Sequence, residues 1–209
     1  MPEPEITVLL VDDHALVRRG FRRLLEDDPQ IRVVAEASDG HDAVEAAGRL
    51  HPAVVVMDFA LPSMNGAVAA RHILKANPDT AVLILSMHNE PSYVQTCLEA
   101  GVGGYLLKNA MDLELVEAVK RVAAGERVLD PRLVSLREPS KDKPVLTTRE
   151  LEVLQLIVNG KSNREIATVL GLSANTVAVH RANVMQTLGI HNTAELVVYA
   201  IREGLVSIA

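Results

Sequence analysis

The 209-residue sequence predicts an α/β domain followed by a small all-α domain. Up to residue 125, short runs rich in Val, Ile and Leu alternate with amphipathic stretches of about a dozen residues. Five such units predict a doubly wound, five-stranded parallel sheet in residues 1–125. Residues 126–145 contain three prolines and little apolar periodicity, which is typical of a linker with at most a short helix. Residues 146–209 contain four helical patterns separated by glycines, which predicts a compact helical domain.

The strands of the α/β domain are predicted to be buried on both faces. Residues 53–57, for example, are apolar at successive positions, as expected where helices cover both sides of a parallel sheet. The predicted strands are residues 6–11, 31–37, 53–58, 80–86 and 103–107. The predicted helices are residues 15–26, 39–50, 67–76, 91–100 and 112–124. Because crossovers in such sheets are right-handed, we expect any ligand beyond the carboxyl ends of the strands, near the switch point.

The composition argues against several classes of protein. Five aromatic residues, no Trp and one Cys supply neither the stacking platforms of single-strand nucleic-acid binders nor a disulfide framework. The acidic N-terminus and the lack of a long uncharged run argue against a secretory signal and a membrane span. We therefore expect a cytoplasmic protein with no membrane partner. The net charge of −6 comes from the first 125 residues, which carry 18 acidic and 11 basic side chains.

Polar side chains lie at the carboxyl ends of four predicted strands. They are Asp12, Asp13, Asp58, Ser86 and Lys108. Three carboxylates in one crevice repel one another, so the cluster requires raised pKa values or a bound cation, and Mg²⁺ prefers such oxygen ligands. One hydroxyl and one ammonium group suit the oxygens of a transferred phosphoryl group, with one Asp as the nucleophile. Singly, each residue has a simpler explanation, such as an N-cap for Asp13, but we interpret the whole set as a functional site.

These motifs resemble the receiver domain of two-component response regulators, over about 120 residues. The resemblance is carried by LVDDH at residues 10–14, VMDFALPSMNG at 56–66, SMH at 86–88 and GYLLK at 104–108. It implies a flavodoxin-like fold in which Asp58 accepts a phosphoryl group from a histidine kinase.

The same resemblance assigns roles to the other residues of the cluster. It places Mg²⁺ among Asp12, Asp13, Asp58 and the backbone carbonyl of Ala60. It makes Ser86 and Lys108 the partners of the phosphoryl oxygens, Ser86 also the switch hydroxyl, and Tyr105 the aromatic residue that follows Ser86 inward. For Tyr105, an ordinary half-buried strand residue is the alternative.

The receiver motifs depart from the usual pattern at two points. Asn109 stands where many receivers have a proline, so the cis peptide bond common there is not expected. Ala60 and His88, two residues beyond Asp58 and Ser86, flank the path of the hydrolytic water in receivers. A small Ala60 leaves that path open, so we expect a short-lived phosphorylated form unless His88 obstructs it.

The all-α domain is predicted to contain a helix-turn-helix within residues 163–177. Ala167 supplies a small side chain where the two helices cross, Gly171 a left-handed residue after the first helix, and Ser173 an N-cap for the second. The predicted helices are residues 148–159, 163–170, 174–188 and 193–203. A plain helical hairpin is the alternative. Together with the sequence before and after it, the region resembles the LuxR-type DNA-binding output domain of the NarL/FixJ class of regulators.

The predicted recognition helix lacks three cations that this family usually carries. Ala178 stands where Lys is usual, and Gln186 and Thr187 stand where a basic pair is usual. Ala and Val can contact thymine methyl groups but cannot make the bidentate contacts that read guanine. The expected base-facing stripe is Asn175, Ala178, Val179, Ala182 and Arg181. The expected phosphate contacts are Lys161, Arg164, Thr176 and Arg181, with backbone amides at the helix N-termini.

The output domain, with zero net charge, is expected to bind double-stranded DNA weakly as a monomer. We therefore expect a homodimer when the protein is phosphorylated or on DNA, with residues 193–203 as the output-domain interface by resemblance.

The favoured interpretation is a transcriptional regulator switched by phosphorylation at Asp58, and not an enzyme apart from its own phosphoryl transfer and autodephosphorylation. By resemblance, phosphorylation rearranges the receiver and frees or pairs the output domains. One alternative is a response regulator that acts through a protein partner or as a phosphate sink, because the recognition helix lacks cations. Another is a Mg²⁺-dependent phosphatase. Such hydrolases carry the nucleophile on the first strand, with a second Asp two residues on, whereas Asp12 and Asp13 are adjacent here.

Overall fold

The computed structural model describes residues 5–62, 64–87, 89, 91–108, 112–136 and 146–202. Its first domain is a parallel sheet with helices on both faces. The strands are β1 (Ile6–Val11), β2 (Ile31–Ala37), β3 (Val54–Asp58), β4 (Ala81–Ser86), β5 (Gly104–Leu107) and β6 (Val128–Leu129). The helices are α1 (Ala15–Glu26), α2 (Gly40–Leu50), α3 (Gly66–Ala76), α4 (Pro91–Glu99) and α5 (Asp112–Ala123). The strand order is β2-β1-β3-β4-β5-β6, so the order reverses between β1 and β3.

The sheet buries a separate apolar layer on each face. Because side chains alternate along a strand, Val55 and Met57 of β3 pack on one side and Val54 and Val56 on the other. Helices α2, α3 and α4 contribute to the first layer, and α1 and α5 contribute to the second. All five residues of β3 are buried, which confirms the prediction made from its continuous apolar run.

The prediction of a five-stranded sheet was wrong by one strand. β6 pairs with β5 in parallel, inside the segment 126–145 that the sequence indicated to be a linker. The N–H of Val128 donates to the carbonyl of Gly103 at 3.0 Å, and the N–H of Asp130 donates to that of Tyr105 at 2.9 Å. A 3₁₀ helix follows at Pro131–Leu136. A two-residue strand is too short to show alternation or an apolar run in the sequence, which is why it was missed.

Asp130 attaches this extension to the sheet. Its side chain is fully buried. One carboxylate oxygen accepts from the N–H of Leu107 at 3.0 Å, and the other accepts from the N–H of Arg132 at 2.9 Å and from its Nε at 2.7 Å. Burial alone would raise the pKa of Asp130, but the Arg132 guanidinium and the two backbone N–H groups lower it below its ordinary value.

Replacing Asp130 with Ala is expected to lower the free energy of unfolding by about 2 kcal/mol, because the buried N–H of Leu107 loses its acceptor. An Asp whose pKa is lowered by folding stabilises the protein above the pKa of the unfolded carboxyl, and this stabilisation is lost as the pH falls through the folded pKa. Urea unfolding of wild type and variant between pH 7 and pH 3 measures both effects. The exposed Asp79→Ala is the control. A difference in the free energy of unfolding between wild type and Asp130→Ala that stayed constant down to pH 3 would contradict the stabilisation by the ionised carboxylate.

The second domain is a bundle of four helices. They are α6 (Thr148–Val158), α7 (Asn163–Leu170), α8 (Ala174–Leu188) and α9 (Thr193–Arg202). α7 and α8 form the predicted helix-turn-helix, because Gly171 adopts the left-handed conformation (φ 65°) and Ser173 accepts the N–H of Thr176 at 3.0 Å. Ala167 is buried between the helices, as predicted. None of the helices described in either domain is long and apolar enough to cross a membrane.

Candidate functional site

The carboxyl ends of the central strands form one polar crevice. Asp12 follows β1, Asp58 ends β3 and Ser86 ends β4, and all three side chains are buried. Lys108 follows β5 directly. Since β1, β3, β4 and β5 are neighbours in the sheet, their ends bring these residues together as the sequence predicted.

Lys108 bridges two carboxylates at the centre of the crevice. Its Nζ lies 2.8 Å from an oxygen of Asp12 and 2.5 Å from an oxygen of Asp58. Burial alone would lower the pKa of Lys108, but the charges and hydrogen bonds of Asp58 and Asp12 raise it above its ordinary value. Lys108 is therefore a fixed positive charge beside Asp58.

Burial dominates the electrostatics of Asp58. It raises the pKa of Asp58 to about 6, although Lys108 and the N–H of Ala60 act in the opposite direction. The nearby charge of Asp12 acts in the same direction as burial. One ammonium group thus leaves the negative charge of the crevice partly uncompensated, which favours the approach of a cation.

Asp13 and His14 complete the acidic edge of the crevice. Nδ1 of His14 lies 2.6 Å from an oxygen of Asp13 and 3.6 Å from one of Asp12. One ligand atom each from Asp12, Asp13, His14 and Asp58 lie within 4.8 Å of one another. The three carboxylates supply the oxygen donors that suit a hard divalent ion.

The simpler explanation of Asp13 as an N-cap was wrong. His14 is the N-cap residue of α1, and its side chain makes no capping hydrogen bond. His14 was not among the predicted site residues. Its position directly after two aspartates was the signal that it would lie beside them.

The predicted switch residues lie on the two strands that follow β3 in the sheet, Ser86 at the end of β4 and Tyr105 on β5. Ser86 and Tyr105 are both completely buried, so Tyr105 is not the half-buried strand residue that was the alternative. The carbonyl of Ser86 accepts the N–H of Lys108 at 2.7 Å. Ala60 is half-buried, and its N–H donates to an oxygen of Asp58 at 3.2 Å. His88 and Asn109 lie outside the described residues.

Two known domain families match this chain, and the first of them contains the crevice. Residues 8–120 match the response regulator receiver domain, and residues 144–200 match the luxR family of bacterial regulatory proteins. The chain is a member of the response-regulator family. The order of the two matched domains places this response regulator in the NarL/FixJ class.

Individual relatives support this assignment along the whole chain. The response regulator is 39% identical to response regulator UvrY of Escherichia coli K12, over 96% of this chain and 95% of the relative. It is 36% identical to transcriptional regulatory protein DegU of Brevibacillus brevis, over 99% and 97%. It also resembles the structure of RcsB from Salmonella enterica serovar Typhimurium bound to promoter rprA in the presence of phosphomimetic BeF3⁻, with a TM-score of 0.73, 26% identity and coverage of 93% and 98%.

These findings define the general function of the protein. It is a phosphorylation-switched transcriptional regulator with a receiver domain and a LuxR-type DNA-binding domain, and it belongs to a family of regulators rather than catalysts.

The predicted base-facing side chains share one exposed face of the recognition helix α8. They are Asn175, Ala178, Val179 and Ala182. On the opposite face, Val177 and Val184 are fully buried. None of the four exposed side chains carries a charge. We call this set the α8 stripe.

Arg181 is the exception among the predicted DNA contacts. Its half-buried guanidinium donates to the side-chain oxygens of Asn163 on α7 and Thr193 on α9. It therefore ties α8 to its neighbours and is not part of the α8 stripe. Thr176 is exposed at the start of α8, where its hydroxyl lies 2.8 Å from that of Ser173.

Two positively charged side chains lie near the first helix of the helix-turn-helix. Lys161 and Arg164 are both exposed around the start of α7. They remain predicted phosphate contacts.

Proposed function

We propose that this response regulator accepts a phosphoryl group on Asp58 from a histidine kinase and thereby controls its binding to double-stranded DNA. The observation that carries the proposal is the position of Asp58, buried at the end of β3 and 2.5 Å from the ammonium group of Lys108. A carboxylate oxygen of Asp58 attacks the phosphorus of the kinase phosphohistidine. The P–N bond breaks as the P–O bond forms, and the histidine leaves and is protonated by solvent.

The residues around Asp58 have distinct roles in this transfer. Lys108 pairs with a phosphoryl oxygen, and the Ser86 hydroxyl donates a hydrogen bond to another. Asp12, Asp13, Asp58 and the carbonyl of Ala60 would hold Mg²⁺. When bound, this ion would offset the negative charges of the carboxylates and the phosphoryl group.

Autodephosphorylation, the hydrolysis of the phosphorylated Asp58, is proposed to occur at the same site. The small side chain of Ala60 leaves room for a water molecule to approach the phosphorus, which favours a short-lived phosphorylated form. Ala60 is half-buried beside Asp58, in agreement with this role.

The homodimer is proposed to form through α9. Val198 of this helix is 65% exposed, although Leu196 and Ala200 on the opposite side are fully buried. A second copy that packed on this face of α9 would cover the Val198 side chain.

Replacing both Lys161 and Arg164 with Ala is expected to weaken DNA binding for all sequences alike. If each contacts one phosphate, the slope of log affinity against log salt becomes shallower by about 1.8 in total. Fluorescence anisotropy with a labelled duplex at several salt concentrations measures this slope. The control is Lys120→Ala, which removes a cation of the receiver that pairs with Asp28 at 2.7 Å. An unchanged slope in the double variant would show that neither residue contacts the backbone.

Selection of random duplex DNA by the full-length protein tests the proposed function as a whole. We expect an enriched motif with two half-sites about one helical turn apart, retained more strongly when a beryllofluoride phosphoryl analogue is present. The uncharged α8 stripe favours a second candidate, in which the protein acts through a protein partner. Absence of enrichment both with and without the analogue would support this second candidate instead.

A further inference from the structure

The output domain contacts the loop that follows Asp58. On α6, the side-chain amide of Gln155 donates to the carbonyl oxygen of Pro62 in the β3–α3 loop. The amide nitrogen of Asn159 lies 3.5 Å from the same oxygen, and the oxygen of its side chain lies 3.3 Å from the nitrogen of Gln155. Gln155 is 1% exposed, so its amide is fixed at the contact between the domains. The Pro62 carbonyl requires a donor, which settles which end of the Gln155 amide faces it.

Within the receiver, the same loop is tied to Asp58 at one end and to α3 at the other. The N–H of Ala60 donates to a carboxylate oxygen of Asp58, at 3.2 Å. The N–H of Gly66 donates to the carbonyl of Phe59 at 2.8 Å. A shift of Pro62 therefore reaches the backbone on which Asp58 and Ala60 lie.

Tyr93 forms a second link between the domains. It is half-buried on α4 and packs against the apolar layer of the receiver and against the core of the output domain. Its ring lies 5.5 Å from that of Phe59, the residue after Asp58. Two contacts of the output domain thus lead to positions within four residues of the phosphoacceptor.

The contact between the domains is incomplete, as expected of one that opens. A cleft of about 570 Å³ separates α2 and α3 from α6 and α7 beside Gln155. The side-chain oxygen of Gln155 and the side-chain nitrogen of Asn65 are buried without a hydrogen-bond partner among the described residues. Burial of an unpaired polar group costs free energy, so exposure of the Gln155 side-chain oxygen to water on undocking would offset part of the lost contact.

The docked receiver leaves the DNA-reading surface open. All four side chains of the α8 stripe are exposed in the presence of the receiver. The contact at Gln155 therefore does not cover the recognition helix. Its effect is on the receiver.

We infer that Gln155 restrains phosphoryl transfer to Asp58, because from the output domain it positions the β3–α3 loop in its unphosphorylated arrangement. This inference rests on the proposed role of Asp58. Because coupling is reciprocal, phosphorylation that moves the loop releases Gln155, and release of Gln155 favours phosphorylation.

Two variants of Gln155 test the inference in the full-length protein. Gln155→Glu replaces the donor by a carboxylate that repels the Pro62 carbonyl, and Gln155→Leu removes the donor and the unpaired oxygen together. In both, the initial rate of phosphorylation by acetyl phosphate with Mg²⁺ is expected to rise about three- to ten-fold. Phosphorylation is followed by intact mass. Gln186→Glu makes the same chemical change at an exposed position of α8 and is expected to leave the rate unchanged.

Hydrogen exchange separates this inference from the function on which it rests. Peptides covering residues 59–62 are expected to exchange faster in both Gln155 variants than in wild type. Rates of phosphorylation within two-fold of wild type would overturn the inference. If the wild type itself gained no phosphoryl group, the proposed function would fail. In that case hydrogen exchange alone would decide on Gln155. Exchange of the loop at the wild-type rate in both Gln155 variants would overturn its positioning role, and faster exchange would support that role.

Discussion

Asp58→Asn is expected to abolish phosphorylation of the receiver. The amide lacks the nucleophilic carboxylate oxygen, and no other described carboxylate lies both at the end of β3 and beside Lys108. Incubation with acetyl phosphate and Mg²⁺, followed by intact mass, should show no phosphorylated species. Asp42→Asn, an exposed residue in the first turn of α2, should be phosphorylated like wild type. Phosphorylation of Asp58→Asn would move the acceptor to another residue and remove the central assignment of the proposed function.

The same substitution is expected to stabilise the protein at neutral pH without Mg²⁺. Burial raises the pKa of Asp58 to about 6, so ionisation of this carboxyl opposes folding. This destabilisation by the ionised carboxylate begins above the ordinary pKa of the unfolded carboxyl and reaches its full size above the folded pKa. Thermal unfolding should therefore show a higher Tm for Asp58→Asn at pH 7.5, and the gain should shrink as the pH falls from about 6 towards the ordinary carboxyl pKa of 3.8.

Gly66→Ala is expected to destabilise the receiver by about 3 kcal/mol. A Cβ on Gly66 would lie 2.4 Å from the carbonyl oxygen of Asp58 and 3.0 Å from Cα of Phe59. Both neighbours are backbone atoms, so relief requires a shift of the end of β3. That shift would also move Asp58 away from Lys108 and slow its phosphorylation. Urea unfolding and the acetyl phosphate assay measure the two effects.

Gly48→Ala is the matched control for this substitution. Gly48 lies in α2, and a Cβ there would have no contact within 4 Å. Its replacement should stabilise the protein by about 0.5–1 kcal/mol, because Ala favours the helix. Equal midpoints for Gly66→Ala and wild type would mean that the close approach of α3 to β3 is absent in solution.

The receiver site could be predicted because its residues follow from local sequence. A strand that is buried on both faces shows as a continuous apolar run, as in β3, and the residue that ends it is then placed by the sheet. The positions of Asp58 and Lys108 could be predicted from this rule and the order of the parallel strands alone. The turn of the helix-turn-helix was equally local, because Gly171 and Ser173 act on their immediate neighbours.

Features that depend on distant partners could not be predicted. β6 is defined only by its pairing with β5, and the burial of Asp130 follows from that pairing. The hydrogen bonds of Arg181 to Asn163 and Thr193 join residues on three helices, and nothing in the local sequence indicated them. Gln155 and Pro62 are separated by 93 residues, and a Gln in an amphipathic helix gives no sign of its acceptor.

The uncharged α8 stripe has a consequence for what the protein can distinguish on DNA. If Ala178, Val179 and Ala182 face the bases as predicted, their side chains would recognise the methyl group at C5 of thymine through close apolar packing. The same methyl group is present in 5-methylcytosine and absent from uracil. With such contacts, methylation of a cytosine within a target site would give a C·G pair the methyl group by which this helix recognises a T·A pair.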